Sequence, residues 1–326
     1  MIDPGVLSMK EIIQLLKELQ QELTRRFERH VTLVFSDIVG STEYFSRFGD
    51  AAGYQLQQLH SGLWEECLPA VGGRIVDLAG DGAFMTFPAA DGAIEAVIEF
   101  QKRMSRENVT RARNRQLRAR IGIHSGPVLT DGELVRGDSV NLCARVAASA
   151  NPGEIRLTRE VFQEAALEHR LNCQPLGRVT LKGIVQPADL LALDWRDRSM
   201  FPEKVYIEET NAEIMLPKQD IIGFGRLREY EGLAANDVVM DVLAPDQSKR
   251  ISRWHFELRR QEDGFRLCAL SDSATEVDGK LIAKGQSAVV KAGSRVRVAE
   301  VLTLLFVAPQ GRDIAAADAT MLPGLR

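Results

Sequence analysis

The residues best suited to chemistry lie where apolar runs meet polar turns. Residues Val31 to Thr42 read VTLVFSDIVGST, a β-branched apolar run that ends on Asp37 and opens into Gly40-Ser41-Thr42. The run predicts a buried strand, and Ser41 and Thr42 are the expected caps of the helix that follows. Such a join sets a carboxylate beside the free N–H groups of a helix start, where a metal ion and a phosphate can be held together. Residues Gly73 to Phe87 read GRIVDLAGDGAFMTF, two apolar strands around Gly80-Asp81-Gly82. That triplet predicts a tight hairpin, because Asp-Gly accepts positive φ angles. Taken singly, Asp37 ends a strand and Asp81 makes a turn. Taken together they are two carboxylates at strand ends, the hard oxygen donors that Mg²⁺ takes. Two ions bridged by such acids would sit ~3.5–4 Å apart and activate both the attacking and the leaving oxygen.

Three further stretches follow in order: RIGIHSG from Arg120, SVNLCAR from Ser139, and LKG from Leu181. With FSDIVGST and AGDGAFMTF they resemble the ordered motifs of class III nucleotide cyclases, the adenylate and guanylate cyclase catalytic domains, over Val31 to Trp195. The resemblance implies a ferredoxin-like α/β cyclase fold. It implies two Mg²⁺ or Mn²⁺ ions held by Asp37 and Asp81, with the Ile38 carbonyl as a further ligand. It gives Asn141 the ribose, Arg145 the charge on the transferring phosphorus and Lys182 the triphosphate. Asn141 and Arg145 are four apart and share a helix face. Without the metal motifs they would read as helix-surface residues, and Lys182 as a solvated strand end. In the family the acids and the Asn/Arg pair face each other across a head-to-tail dimer. A chain that carries both sets is therefore expected to form a homodimer with two equivalent sites.

The base is the point of departure from the family. Similar adenylate cyclases often carry Lys four residues before the second metal acid and Asp seven residues before the catalytic Asn; here those positions are Asp77 and Leu134. Leu134 accepts no hydrogen bond, although Glu133 adjoins it. An acid at 77 suits the two donors on the guanine edge, while bacterial relatives with Asp there are commonly assigned to ATP. Family frequency favours ATP, and GTP stays open.

The elements around these motifs follow from periodicity. Ser8 to about Arg29 predicts a helix with Ile12, Leu16, Leu19 and Leu23 at spacings of four and three, a short heptad seam. It can join two copies of the chain or lie on its own domain. Helices are predicted from Thr42 to Leu68 with a break near Gly49-Asp50, from Ala90 to Arg106, and from Asp138 to Ala150 with Asp138 or Ser139 as cap. Arg111, Arg113, Arg115, Arg118 and Arg120 form a basic cluster read as a solvated loop, with a phosphate or an acidic partner as the alternative. It lacks the interleaved aromatics of a nucleic-acid surface.

Composition sets outer bounds. The 326 residues, 45% hydrophobic and with a formal charge of −4, allow two ordinary domains and give no basic surface for nucleic acid. Cys67, Cys143, Cys173 and Cys268 have no metal or disulfide spacing, so buried free thiols are expected. No apolar segment of signal or spanning length is found at the N-terminus. A cytoplasmic protein is expected, on the side of the membrane where nucleoside triphosphates are.

The expected domains are an N-terminal helix at 1–30, a cyclase domain at 31–195, a linker at 196–212, an all-β sandwich at 213–308 and a flexible tail at 309–326. The sandwich carries Gly225-Arg226, then Ile251-Ser252-Arg253-Trp254-His255, then SDSATEVDG from Ser271. These resemble the forkhead-associated (FHA) domain, whose loops bind phosphothreonine peptides. The resemblance implies Arg226 and Ser252 as phosphate donors, assisted by Arg253, with His255 bracing the loop. Ser273 stands where an Asn usually contacts the peptide, and Ala274 replaces the next Gly. The partner implied is a phosphothreonine protein or a Ser/Thr kinase; the alternative is an FHA fold used only for dimerisation or docking. Thr320, in the acidic tail, is a candidate kinase target that would dock on this or a neighbouring domain; otherwise the tail is a plain mobile end. The rival to a cyclase is a non-catalytic adaptor that keeps the dimer scaffold and binds phosphopeptide.

Overall fold

A computed structural model describes residues 8–109, 111, 115–196, 201–217, 219–240, 244–261 and 264–308. The chain divides into two compact units, Met1–Gln101 with Leu117–Trp195, and Lys102–Gln116 with Arg196–Arg326. Thr320 and the rest of the expected tail, and Arg113 of the basic cluster, lie outside the described residues.

The first unit runs α1 (Met9–Phe27), β1 (Glu28–Ile38), α2 (Ser41–Phe48), α3 (Asp50–Cys67), β2 (Arg74–Ala79), β3 (Gly82–Phe87) and the part to Gln101 of the helix α4 (Ala90–Val109). It continues through β4 (Ala119–Thr130), β5 (Val135–Arg136), α5 (Asp138–Ser149), β6 (Ile155–Thr158), α6 (Arg159–Glu164), α7 (Leu167–Arg170), β7 (Cys173–Val179) and β8 (Ala188–Leu193). The sheet order is β2-β3-β1-β4-β6-β8-β7, with β5 on β4. All pairs are antiparallel except β4 with β6, so this is a mixed sheet in an α/β unit.

β1 is central, and it reads as a near-continuous apolar run because both its faces are covered. The two-residue period of a strand sends Leu33, Phe35 and Asp37 to one face and Thr32, Val34 and Ser36 to the other. Leu33 and Phe35 pack with Phe84 and with Cys143 of α5. On the opposite face Ser36 Oγ meets His60 Nε2 of α3 at 2.9 Å. Beside it Trp64 stacks on Phe100 of α4 with centroids 4.1 Å apart. Burying each of these rings contributes about 1.5–3 kcal/mol. Burial lowers the His60 pKa to about 4, so the ring is a neutral core group at pH 7.

α5 lies flat on β4 because Gly122 has no side chain. A Cβ at Gly122 would fall 2.2 Å from the Ala147 nitrogen and 2.7 Å from its Cα. Gly122→Ala must therefore lift the helix that carries Asn141 and Arg145. Overpacking of this kind costs about 1–3 kcal/mol, and thermal denaturation should show Tm falling on the order of 5 °C. An unchanged Tm would contradict the close seating of α5.

α1 opens with a full capping box between Ser8 and Glu11. Ile12, Leu16, Leu19 and Leu23 are all exposed, so the seam does not lie on its own domain. No helix among the described residues is long and apolar enough to cross a membrane.

The second unit holds β9 (Lys204–Ile207), β10 (Ala212–Met215), β11 (Ile221–Gly225), β12 (Glu229–Tyr230), β13 (Leu233–Ala234), β14 (Val238–Val239) and the turn of helix α8 (Pro245–Ser248). Then come β15 (Phe256–Gln261), β16 (Gly264–Ala269), β17 (Thr275–Val277), β18 (Lys280–Leu281), β19 (Ser287–Val290), β20 (Arg295–Val298) and β21 (Leu302–Val307). One sheet is ordered β10-β9-β21-β20-β17-β18 and the other β14-β11-β15-β16-β19. All these pairs are antiparallel except β11 with β14. Val205, Val296 and Leu304 of the first sheet share one core with Phe224, Leu258 and Leu267 of the second, which makes a sandwich.

Several expectations change in detail. β9 falls inside the stretch 196–212 expected as a linker, because Lys204–Ile207 pairs with β21. Residues 102–116 group with the second unit, where Arg259 Nη1 donates to the Val109 carbonyl at 2.9 Å. The caps of α2 and α5 are Gly40 and Gly137 rather than the neighbouring hydroxyl and acidic residues. Of the four cysteines, Cys67 and Cys143 are buried, while Cys173 and Cys268 are half-buried.

Candidate functional site

Strand geometry brings the two predicted acids together. Asp37 is opposite Gly82 in the β1–β3 ladder, one residue from Asp81. The β2–β3 turn consists of Gly80-Asp81, not Asp81-Gly82 as the dipeptide suggested, and Gly80 takes the positive φ of 63°. That releases Asp81 to point its carboxylate toward α2, where Ser41 Oγ donates to Asp81 Oδ2. Ser41 is thus a partner of the acid instead of a helix cap. Ile38, the last residue of β1, is buried and donates its N–H to the Asp81 carbonyl at 3.3 Å.

The cleft at this point measures about 280 Å³ and is lined by Asp37, Asp77, Asp81, Arg120, Phe35 and Phe84, with Ala144, Ala147 and Ala148 of α5. Asp77 reaches it through a β-bulge. The β2–β3 register shifts between Ile75 and Asp77, which sets Asp77 opposite Phe84. Without the bulge Asp77 would face Ala83 and the other side of the sheet. Phe84 stacks on Phe35 at 4.4 Å and floors the cleft.

Arg120 is the residue that sequence reasoning missed. It sits in β4 directly across from Asp37, and its Nε donates to Asp37 Oδ2 at 2.8 Å. It does not belong to a solvated basic loop. Burial raises the Asp37 pKa above its ordinary value; the hydrogen bond from Arg120 opposes this, and the nearby charge of Asp81 adds to the rise. Two carboxylates that repel each other in a half-buried cleft form a site that a cation would relieve. Among the described residues no group of three or more ligating side chains is found. Two carboxylates still fit Mg²⁺, which keeps waters and takes substrate phosphates for its other positions.

The other predicted residues are not part of this cleft's lining. Asn141 and Arg145 are exposed on α5. Lys182 is exposed in the turn between β7 and β8, not in a strand. Leu134 is exposed in the β4–β5 loop, where its N–H and that of Glu133 donate to Asp131 Oδ1 at 2.8 and 3.0 Å.

In the second unit the predicted loops meet. A Cβ at Gly225 would fall 2.1 Å from the Arg253 carbonyl oxygen, so only glycine lets the end of β11 pass the Ser252–Arg253 loop this closely. Arg226 and Leu227 donate their N–H groups to the carbonyls of Ser252 and Arg253 at 3.1 and 3.3 Å. Ser252 Oγ lies 2.8 Å from Ser273 Oγ. The Ser252 N–H donates to His255 Nδ1 at 3.2 Å, and His255 Nε2 is 3.1 Å from Thr275 Oγ1. Nδ1 is therefore the acceptor and Nε2 carries the proton. Burial lowers the His255 pKa, which keeps this arrangement neutral. Asn236, also missed from the sequence, is buried and donates from Nδ2 to the Leu227 and Arg253 carbonyls at 2.9 and 2.8 Å. Arg226 Nε is buried with no hydrogen-bond partner among the described residues.

Comparison with known proteins bears on both units. The family profile described as the adenylate and guanylate cyclase catalytic domain matches residues 23–192, and that of the FHA domain matches residues 212–299. A putative adenylate cyclase 3 of Rhizobium meliloti (strain 1021) is 24% identical over 227 residues, which cover 68% of this chain and 38% of that protein. The serine/threonine-protein kinase pkn2 of Myxococcus xanthus is 26% identical over 155 residues, 48% of this chain and 19% of that protein. The chain thus spans well under half the length of these curated relatives. Among solved structures, an adenylate/guanylate cyclase/hydrolase from Silicibacter pomeroyi is 26% identical, with a TM-score of 0.47 over 51% of this chain and 96% of that one.

Proposed function

Because the chain belongs to the adenylate and guanylate cyclase catalytic domain family and continues into an FHA domain, we propose that it converts ATP to 3′,5′-cyclic AMP and pyrophosphate in a homodimer that answers to a phosphothreonine protein. The observation that carries this reading is the pair Asp37 and Asp81 on one cleft, with Arg120 beside them. Asp37 and Asp81, with the Ile38 carbonyl, would hold two divalent ions, which lower the pKa of the ribose 3′-hydroxyl and offset charge on the departing pyrophosphate.

The chain's own residues do the rest. Arg120, which lines the cleft and bonds to Asp37, would exchange that bond for phosphate oxygens of the substrate. Ser41 orients the Asp81 carboxylate. Asn141 positions the ribose, Arg145 stabilises charge on the transferring phosphorus, and Lys182 meets the triphosphate. All three are exposed in the single chain. They act on the cleft of a second copy, which is why a homodimer is part of the reading. The uncovered seam of α1 supplies an apolar face for the same second copy.

The second unit would bind phosphothreonine through Arg226, Ser252 and Arg253. The support is the buried unpartnered Nε of Arg226 beside a loop braced by His255 and Asn236. Ser273, bonded to Ser252, takes the place of a peptide-reading Asn. The partner's effect on catalysis would come only from preferring one dimer arrangement. Cytoplasmic placement follows from a nucleoside triphosphate substrate.

Asp77 favours a second reading, GTP, because its carboxylate lines the cleft and would accept from the two guanine donors. Leu134 gives neither base a polar contact, so discrimination should be modest. Initial rates with ATP and GTP separately, in Mn²⁺, test this. The reading expects the ATP rate to exceed the GTP rate by less than about 100-fold. A faster GTP reaction would reassign the substrate. Folded dimer with no product from either nucleotide would favour the adaptor.

A further inference from the structure

Beside the phosphate-binding loops stands an apolar shelf that the reading above does not use. Trp254 follows Arg253 and is 41% exposed. Its ring meets Tyr230 edge-on, with centroids 5.6 Å apart. Tyr230 is the cross-strand partner of Leu233 in the β12–β13 pair, and they are 53% and 72% exposed. Asn236 ties this segment to the Trp254 loop through the Leu227 and Arg253 carbonyls. Scattered apolar residues on a surface need no explanation, but three gathered beside phosphate donors do.

We infer that Thr320 is a phosphorylation site and that the phosphorylated C-terminal segment docks on its own chain, with Met321 and Leu322 on the Trp254–Tyr230–Leu233 shelf. The inference rests on the phosphothreonine-binding reading above. The chain beyond β21 reads APQGRDIAAADATMLPGLR, in which Thr320 is the sole hydroxyl residue and is followed at once by Met321-Leu322-Pro323. A phosphate next to an apolar pair matches donors next to an apolar shelf. In the modification a protein Ser/Thr kinase passes the γ-phosphoryl group of ATP to Thr320 Oγ1; the hydroxyl proton is released and ADP leaves.

The chain can reach. Ala299 and Glu300, at the β20–β21 tip, touch the phosphate-loop end of the sandwich: Ala299 donates to the Ala274 carbonyl at 2.7 Å, and Glu300 pairs with Arg250 at 3.0 Å. β21 runs away from that end for roughly 17 Å. Residues 308–320 extend to about 40 Å, enough to return. A ligand on so short a tether has an effective concentration on the order of millimolar, so modest affinity suffices.

The test uses the full chain and a labelled peptide of residues 314–326 phosphorylated at Thr320, read by fluorescence anisotropy. The native chain should bind it about tenfold more tightly than the same peptide carrying Met321→Ser and Leu322→Ser. That preference should vanish in Trp254→Ala, or in Tyr230→Ala should the first variant not fold. A full chain with phosphothreonine installed at 320 should capture the labelled peptide at least about tenfold less well, since its own segment fills the site. Equal binding of the serine-substituted peptide, or undiminished capture by the phosphorylated chain, would overturn the inference. An unrelated phosphothreonine peptide separates the two readings. If it binds as well as the Thr320 peptide, only this inference fails; if neither binds, the phosphothreonine reading fails too. Mass spectrometry of the chain from its native cells should find phosphate on Thr320, and its absence in every growth condition would also overturn the inference.

Discussion

Asp81→Ala should leave a folded protein whose cyclic-nucleotide production has fallen about 10³-fold, the several kcal/mol that metal charge stabilisation supplies. The substitution isolates function from folding. Asp81 sits in a turn whose positive φ is carried by Gly80, so alanine meets no backbone strain. Its carboxylate bonds to Ser41, and the Asp37–Arg120 pair across the sheet stays intact. A Tm within about 2 °C of the native value is expected for a half-exposed turn position. Asp37→Ala is the less clean experiment, because it strips Arg120 of its carboxylate and leaves a half-buried guanidinium without that partner. If Asp81→Ala kept more than a tenth of native turnover, the acid pair would not be the metal site.

A second result of comparable size is expected from mixing two inactive chains. Arg145→Ala removes an exposed side chain and should cost within about 0.5 kcal/mol of stability, yet abolish most turnover. Asp81→Ala is inactive for the other reason. If acids and Arg145 come from different copies, a mixed dimer has one site with both intact and one with neither. Random pairing makes half the dimers mixed, so an equimolar mixture should recover about a quarter of native activity from two dead preparations. If one copy supplied the whole site, mixing would recover nothing. Asn141, Arg145 and Lys182 are exposed and are not among the residues lining the cleft of the acids, which is what motivates the experiment.

What the sequence made legible follows from how local each feature is. Asp37 was readable because a two-residue period and a strand end are properties of eight consecutive residues. The α/β unit followed by an all-β sandwich was readable for the same reason, as was the Ser252–His255 spacing. Arg120 was not, because its role comes from the antiparallel pairing of β1 with a strand some eighty residues away. In isolation it is one of five nearby arginines. Asp77 was suspect for its charge, but its access to the cleft depends on a bulge that no local pattern announces. Ser41 carried a strong cap signal, but Gly40 is the cap and the Ser41 hydroxyl donates to Asp81. Asn236 lies in a stretch with little periodicity, and its importance appears only when two loops cross at Gly225. The α1 seam was ambiguous on spacing alone, and burial decided that it does not lie on its own domain.

The most direct measurement is the stoichiometry of products from purified full-length chain with Mn²⁺ and ATP. Cyclisation predicts one 3′,5′-cyclic nucleotide for each pyrophosphate, with both absent from the Asp81→Ala control. Pyrophosphate or phosphate released without cyclic nucleotide, or product that persists in the control, would contradict the account.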